Sequence, residues 1–400
     1  MPFSKKKLPA LCKKLLPVLL SIFLLSFIWT LSWSLISGVF YVTMIIGLFA
    51  PDQATFKSLK RQWFAFLFIG WFAISTLWSP SVTVGNVTDV LRYALCILGL
   101  LFIFSTPARD KILWQWIPTV AFLPALVGVV IFYLKNPLYI RLEHFGKYPV
   151  SSASLYAFFA IISLWNLRPS DEKKKFWLNA VPLIIFVPAL LLTQSRGPVF
   201  GFVTGCAAFV GVLLFRRFRP SPHQIALLLT ILLMAVPQLF AEVKPPPAPT
   251  TVTEATQSFL TRGTTYRTAI WKSALDQMPN HWLAGFGLYA PYTWLQTRYA
   301  EYGIPYPVPH LHSILFWALF HGGIIGLGLT LLLITQSTCK ALRYAYMTGN
   351  WLPLALLASG IFCCMFGGNK YLHGPRGEWI TFWIPICYAL TCPAKNKIRT

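Results

Sequence analysis

Apolar positions in this chain fall in solid runs rather than in alternation. The runs cover approximately residues 15–33, 34–50, 63–79, 85–104, 112–133, 150–167, 176–193, 197–215, 223–241, 310–336, 350–368 and 378–392. An apolar run of about 17–25 residues crosses a bilayer as an α-helix. A β-barrel strand needs period-two alternation, which solid runs lack. The pattern predicts an all-α, polytopic integral membrane protein with about twelve transmembrane helices. The first two runs are continuous, so their division near residue 33 rests on length alone.

One long polar segment breaks the pattern, from Glu242 to Pro309. It divides the chain into residues 1–241 with helices one to nine, a large loop over 242–309, and residues 310–400 with helices ten to twelve. The loop opens on Lys244-Pro-Pro-Pro-Ala-Pro, a short stiff linker. Within it, Tyr266 to Met278 places Ile270, Ala274 and Leu275 on one helical face, which predicts an amphipathic helix lying on the membrane. Pro279 and the Gly285-Phe-Gly287 turn end that helix. The chain carries no internal repeat.

Composition agrees with the pattern: 56% of residues are hydrophobic and 11% charged, outside the range of a soluble domain. The formal charge of +23 suggests nucleic acid until the charges are located. They sit in short clusters between apolar runs, as in Lys5-Lys6-Lys7, Lys57/Lys60/Arg61, Lys173-Lys174-Lys175, Arg216-Arg217/Arg219 and Lys395/Lys397/Arg399. That is the positive-inside signal of a multispanning protein, and no nucleic-acid partner is expected. The signal places both termini in the cytoplasm. The basic, then apolar N-terminus reads as an uncleaved first helix, because its apolar stretch is too long for a signal peptide. The long loop contains none of the eight cysteines, so no disulfide-stapled outer domain is expected.

With that orientation several cations lie on the outer face against the bias: Lys135, Arg141, Lys147, Arg196, Arg262, Arg267, Lys272, Arg298 and Arg376. An anionic ligand there, or contact with lipid headgroups, accounts for them. Arg196 lies in Leu192-Thr-Gln-Ser-Arg-Gly-Pro198, a turn with hardly any loop. A guanidinium held near hydrocarbon costs about 2.5–3.5 kcal/mol on insertion scales. Its planar fork matches phosphate oxygens bidentately; the alternative is an Arg snorkelling to the interface. Arg267 opens the amphipathic stretch and could clamp a diphosphate with Arg196 from two sides. Arg262 is a weaker member of the same set.

His312 opens the tenth apolar run in Pro309-His-Leu-His312-Ser-Ile-Leu. A His of ordinary pKa takes a proton from a hydroxyl at neutral pH, and a helix N-terminus disfavours its charged form. The competing reading is a capping or hydrogen-bonding residue. His310 and Ser313 are secondary candidates, and His321 reads as a packed core residue. No Asp-x-Asp, glycine-rich phosphate loop or His-Glu-x-x-His occurs, and Cys363-Cys364 has no second ligand pair at metal spacing. The outer carboxylates, including Glu143, Asp276 and Glu378, are scattered. No metal or other cofactor is therefore expected, and arginine would stabilise a departing diphosphate.

These features together resemble the O-antigen ligase family of bacterial inner membranes, which is related to the O-antigen polymerases and the protein O-oligosaccharyltransferases. The sharpest mark is the pattern His-[Asn/Ser/Gln], nine residues, Gly-x-x-Gly, met here by His312-Ser313, Ile314 to Gly322 and Gly323-Ile-Ile-Gly326. Ser195-Arg196-Gly197 resembles the family's arginine after a short periplasmic turn, and Arg267 with Trp271 resembles its second, in the large loop. The pattern departs after Gly326, where some members continue Thr-Trp and this chain has Leu327-Gly328. An acidic residue of some relatives has only Glu378 as a weak match.

The resemblance implies a GT-C type glycosyltransferase with its active site facing the periplasm. It would move O-antigen polysaccharide from undecaprenyl diphosphate to the lipid A-core oligosaccharide. His312 would act as general base, and Arg196 and Arg267 would bind the diphosphate. An O-antigen polymerase or a protein O-oligosaccharyltransferase is the nearest alternative. Polymerases of this group often carry two sizeable outer loops, whereas this chain has one. A transporter would instead show ionisable residues deep in several spans and broken half-helices.

Overall fold

The computed structural model describes residues 7–29, 32–50, 53–167, 173–218, 250–254, 257, 266–292, 299–302, 304, 310–367 and 371–393. Among them there is helix and no strand. The helices are α1 (Lys7–Trp29), α2 (Trp33–Leu48), α3 (Gln53–Lys60), α4 (Trp63–Ile74), α5 (Val84–Ser105), α6 (Ile117–Lys135), α7 (Pro149–Asn166), α8 (Lys173–Leu192), α9 (Arg196–Phe218), α10 (Arg267–Leu275), α11 (Ile314–Thr348), α12 (Leu352–Gly367) and α13 (Ile384–Leu390). A π-helical turn, Trp379–Trp383, leads into α13.

Every apolar run read from the sequence coincides with helix except residues 223–241, which lie outside the described residues. So do the proline-rich linker and Arg262. Among the described residues, four helices are long and apolar enough to cross a membrane by length and composition: Pro9–Trp29, Val84–Ser105, Ile117–Lys135 and Ile314–Thr348. Shorter apolar helices accompany them, among them Ala180–Leu192 and Leu352–Gly367.

Burial separates the helices into two sets. Along α7, α12 and Trp379–Leu390 nearly every side chain is buried, including Trp379 and Trp383. A helix apolar on all sides belongs at the centre of its bundle. Around these, α1, α2, α5 and α6 turn one face inward and leave residues such as Leu35, Leu95 and Leu134 exposed. An apolar belt of that extent suits contact with lipid. In the centre, Trp379 meets Phe40 edge-on with ring centroids 5.1 Å apart and Trp383 meets Phe68 at 5.6 Å.

Helix α9 runs along α12 at close range because Gly201 and Gly205 carry no Cβ. A Cβ at Gly201 would lie 2.8 Å from the Ser359 carbonyl, and one at Gly205 would lie 3.1 Å from that of Ala355. Small residues at such crossings let helix backbones approach, which drives packing where no hydrophobic effect operates. Buried hydroxyls close on their own helices: Ser21 donates to Pro17, Thr43 to Val39 and Ser163 to Phe159. These three hydroxyls then need no water at that depth.

Helix α11 departs from expectation at three points. It begins at Ile314, not at residue 310, and it runs on past residue 336 to Thr348. Its continuation, Lys340-Ala-Leu-Arg-Tyr-Ala, is polar but rich in helix formers, and Gly349 stops it in the left-handed conformation (φ 74°). Third, the ladder is broken at Gly323, whose φ of 65° and ψ of −163° are far from helical.

The segment 281–287 fills the break. Trp282 and Leu283 carbonyls accept from Ile324 N (2.7 Å) and Ile325 N (3.3 Å). Phe286 N and Gly287 N donate to the Phe320 (2.8 Å) and His321 (3.0 Å) carbonyls, and Trp71 Nε1 donates to that of Gly322 (2.9 Å). Close approach explains the glycines: a Cβ on Gly323 would sit 2.3 Å from the Leu283 carbonyl carbon, and one on Gly285 would sit 2.6 Å from Gly322 N. The Gly-x-x-Gly half of the sequence motif is therefore the place where the loop enters a broken helix.

Candidate active site

Two turns and one short helix converge at the ends of α6, α8 and α11. The first is the loop between α6 and α7. Its segment 139–142 lies along the 192–195 turn: Leu142 N donates to Leu192 O (3.0 Å) and Gln194 Nε2 to Tyr139 O (3.0 Å). Gln194 takes a positive φ of 50°, which lets α8 stop and α9 start with no further loop. Arg196 is the first residue of α9 and is half-buried there.

Arg141 binds this turn directly. Its Nε donates to Thr193 O (3.1 Å) and its terminal nitrogen to Ser195 Oγ (3.0 Å). It caps the end of α8 and fixes the residue that precedes Arg196. Lys147, on the same loop, turns away. It is buried, and its Nζ donates to Phe27 O at the end of α1. His144 does the same for Ile28 O (3.0 Å) through Nε2, while its Nδ1 accepts from Tyr156 Oη (2.9 Å). Burial and the neighbouring Lys147 pull the His144 pKa down to about 4, so both nitrogens serve as neutral hydrogen-bonding groups. Lys147 thus leaves the set of outer cations expected to await an anion.

The second element is α10. Its Ile270 and Ala274 are buried in a satellite core with Met278, Phe286, Leu311, Leu319 and Phe320. The apolar face predicted to lie on the membrane is occupied by protein, namely the loop that follows and the first half of α11. Tyr266 at the N-cap adopts a left-handed φ of 64°, and Arg267 opens the helix. One turn on, Trp271 stacks on Phe316 with centroids 4.7 Å apart and planes 9° apart. Its Nε1 donates to Leu311 O (2.8 Å).

The third element is the approach to α11. Ser313 is the N-cap residue, in extended conformation, and its side chain makes no capping bond. His312 precedes it with a left-handed φ of 52° and is half-buried. Its ring lies 4.0 Å from that of His310. Among the described residues the His312 ring makes no hydrogen bond, and it does not cap α11, which removes the capping reading. The expectation that it opens the helix is also corrected: it stands two residues before the first helical position.

Electrostatics tie the elements together. Burial first, then Arg196 and Arg141, lowers the Arg267 pKa to about 10, so it stays charged at neutral pH. Burial first, then His310 and Arg267, lowers the His312 pKa to about 3, so it stays neutral. Arg141, Arg196 and Arg267 therefore face one region, and His312 lies at its edge. Arg141 was not singled out from the sequence, although it was one of the cations breaking the positive-inside bias. Like charges gathered in a partly desolvated place repel, and an anion with several oxygens relieves them.

His321 is a buried core residue, as read from the sequence. Its Nδ1 donates to Gly287 O (2.8 Å) and its Nε2 accepts from Tyr292 Oη (2.7 Å). Glu378 pairs with His373 (3.3 Å), not with the arginines. The eight cysteines are free thiols, and no group of three or more His, Cys, Asp or Glu stands together among the described residues. Beside the first half of α11 is a cavity of about 360 Å3 whose lining includes Asp89, Tyr93, Tyr289, Tyr292, Trp317 and Arg376.

A bundle of apolar helices with a convergent arginine and histidine site at one end defines a membrane protein. The family model described as O-Antigen ligase matches residues 181–331, which contain Arg196, Arg267, His312 and the break at Gly323. An O-antigen ligase of Pseudomonas aeruginosa is 26% identical over 353 residues, 82% of this chain and 77% of that protein. The resemblance read from the sequence holds: this membrane protein is similar to the O-antigen ligase family across the segment that carries the site.

Proposed function

We propose that the chain is an O-antigen ligase: an inverting glycosyltransferase of the GT-C type, working without a metal. It transfers O-antigen polysaccharide from undecaprenyl diphosphate to the lipid A-core oligosaccharide. It sits in the bacterial inner membrane with about twelve crossings, both termini cytoplasmic and the site facing the periplasm. The observation that carries this reading is that Arg196 and Arg141 both lie near enough to Arg267 to act on its charge, as Arg267 does on that of His312.

In this mechanism His312 accepts the proton of the acceptor hydroxyl. The acceptor oxygen attacks the anomeric carbon from the face opposite the diphosphate. The carbon–oxygen bond to the diphosphate breaks, and undecaprenyl diphosphate leaves with the electron pair. Arg196 and Arg267 meet the charge that develops on its oxygens, and Arg141 holds the Arg196 turn in place. A diphosphate beside Arg267 offsets that cation and so relieves part of the depression of the His312 pKa. Donor binding then makes the imidazole a better base. The aromatic and polar lining of the 360 Å3 cavity suits a saccharide chain passing the helix.

A polymerase would share the donor and the site, and family likeness covers both. The single dominant outer loop and the relative described as an O-antigen ligase favour ligation. Transport is disfavoured because the break in α11 exposes no free helix end: the loop backbone takes up its amides and carbonyls. Deletion in a strain that makes O-antigen, followed by inspection of both lipid pools, tests the reading. Polymer left on the lipid carrier with bare core is the expected result. Core capped by a single repeat unit would indicate a polymerase.

A further inference from the structure

A second cationic cavity lies at the other end of the bundle. It has a volume of about 290 Å3 and is lined by Lys57, Arg61, Arg109, Lys340 and Arg343 together with one carboxylate, Asp110. Lys340 lies 26 residues along α11 from Ile314, and the lining shares no residue with the arginine and histidine site. The two sites are therefore separate.

The hydrogen bonds show which cations are committed. The Arg109 guanidinium is buried and spans Asp110 Oδ1 (3.0 and 2.7 Å) and the Thr391 carbonyl. That pair consumes Asp110, the only carboxylate among the described lining residues. Lys340 Nζ donates to Gln62 Oε1 (2.7 Å) and Leu390 O (3.1 Å), and buried Gln62 donates to the same carbonyl (2.8 Å). An ammonium has three protons, so one remains for a ligand. Among the described residues, no carboxylate pairs with Lys57, Arg61, Lys340 or Arg343.

Four like charges around one recess, with one of them fixed by neutral acceptors, repel one another unless an anion enters. We propose that this cavity is a phosphate-binding site. Its ligand is a phosphate group, carried by an anionic lipid headgroup of the adjacent leaflet or by free phosphate. Lys340 and Arg343 would bind it from α11, and Lys57 and Arg61 would close over it from α3 and the turn that follows. Such a ligand would join the ends of α3, α5, α11 and α13.

The test uses the purified full chain in neutral detergent. Melting temperature is followed against inorganic phosphate, and against nanodiscs of phosphatidylcholine with or without phosphatidylglycerol. The chain is compared with Lys340→Gln, Arg343→Gln, the rim variant Arg61→Gln, and Lys13→Gln/Lys14→Gln as a control of exposed charge elsewhere. Saturable stabilisation is expected, weakened about tenfold by each cavity substitution, as for one lost charge-assisted bond, and unchanged in the control. Stabilisation by phosphatidylglycerol alone identifies a lipid ligand; stabilisation by inorganic phosphate identifies the free anion. If Lys340→Gln fails to fold, Arg61→Gln and Arg343→Gln decide. No saturable effect of either probe, or an equal loss in the Lys13/Lys14 control, overturns the proposal.

Discussion

The indole nitrogen of Trp271 donates to the carbonyl of Leu311 at 2.8 Å, on the residue that separates His310 from His312. Through that bond and the stack on Phe316, α10 holds the two histidines, and Arg267 stands one turn earlier on the same helix. Trp271→Phe keeps the stack and removes the donor. An unmet buried acceptor costs about 1–3 kcal/mol. Glycan transfer should fall by about tenfold or more, with the melting temperature lowered by only a few degrees. A variant that melts as the parent and transfers at full rate would show that the bond does not position His312.

His312→Ala should insert normally and lose transfer by about 10²–10⁴-fold, the usual contribution of a general base. The assay is the amount of polymer joined to lipid A-core, with the protein level in the membrane measured beside it. Full transfer by this variant rules out His312 as the base.

Arg196→Lys and Arg267→Lys keep the charge and lose the planar fork. Each should raise the donor concentration needed for half-maximal transfer by about ten- to a hundredfold, the value of a charge-assisted bond. Arg141→Lys should also slow transfer, because it loosens the Thr193 and Ser195 contacts. Unchanged donor dependence in Arg196→Lys would return that residue to the role of a headgroup contact.

Gly323→Ala forces a Cβ into the Leu283 backbone at a φ that disfavours a side chain. Loss of several kcal/mol is expected, of the order seen for strained backbone combined with a clash. Gly328, with nothing within 4 Å of its Cβ position, is the paired control. Gly328→Ala should be neutral or stabilise by up to about 1 kcal/mol. Thermal denaturation in detergent separates the two.

His144 sets a pH limit on stability. Its folded pKa of about 4 lies below the free value of 6.5, so the unfolded chain binds the proton more readily. Its contribution is intact above pH 6.5 and is lost as pH falls toward 4. A melting curve taken between pH 7.5 and 4.5 should slope downward in that window, and His144→Asn should flatten it. An unaltered slope in the variant would place the acid sensitivity elsewhere.

The positions of the helices were readable because burial in a bilayer and burial in the bundle demand the same thing of a sequence, an unbroken apolar run. For the same reason the runs do not distinguish α7 or Trp379–Leu390, at the centre, from α5 or α6, at the rim. Arg196 and His312 were legible as ionisable residues beside apolar helices. Arg141 was not, because its role comes from a carbonyl and a hydroxyl that lie more than fifty residues away in sequence. The satellite core under α10 was misread as a membrane face, since an apolar stripe does not state what covers it. Lys147 was counted with the ligand-facing cations, and only the proximity of the end of α1 redirects it.

The break in α11 also bears on how the chain is assembled. Residues 281–287 are synthesised before residues 320–325, so the backbone that completes the gap exists before the gap does. The second half of α11 is finished by a strap that is already in reach, and the interrupted ladder never has to wait for a later part of the chain. A rearranged chain in which residues 281–292 followed Gly349 would reverse this order and leave the open amides of Ile324 and Ile325 facing hydrocarbon during insertion.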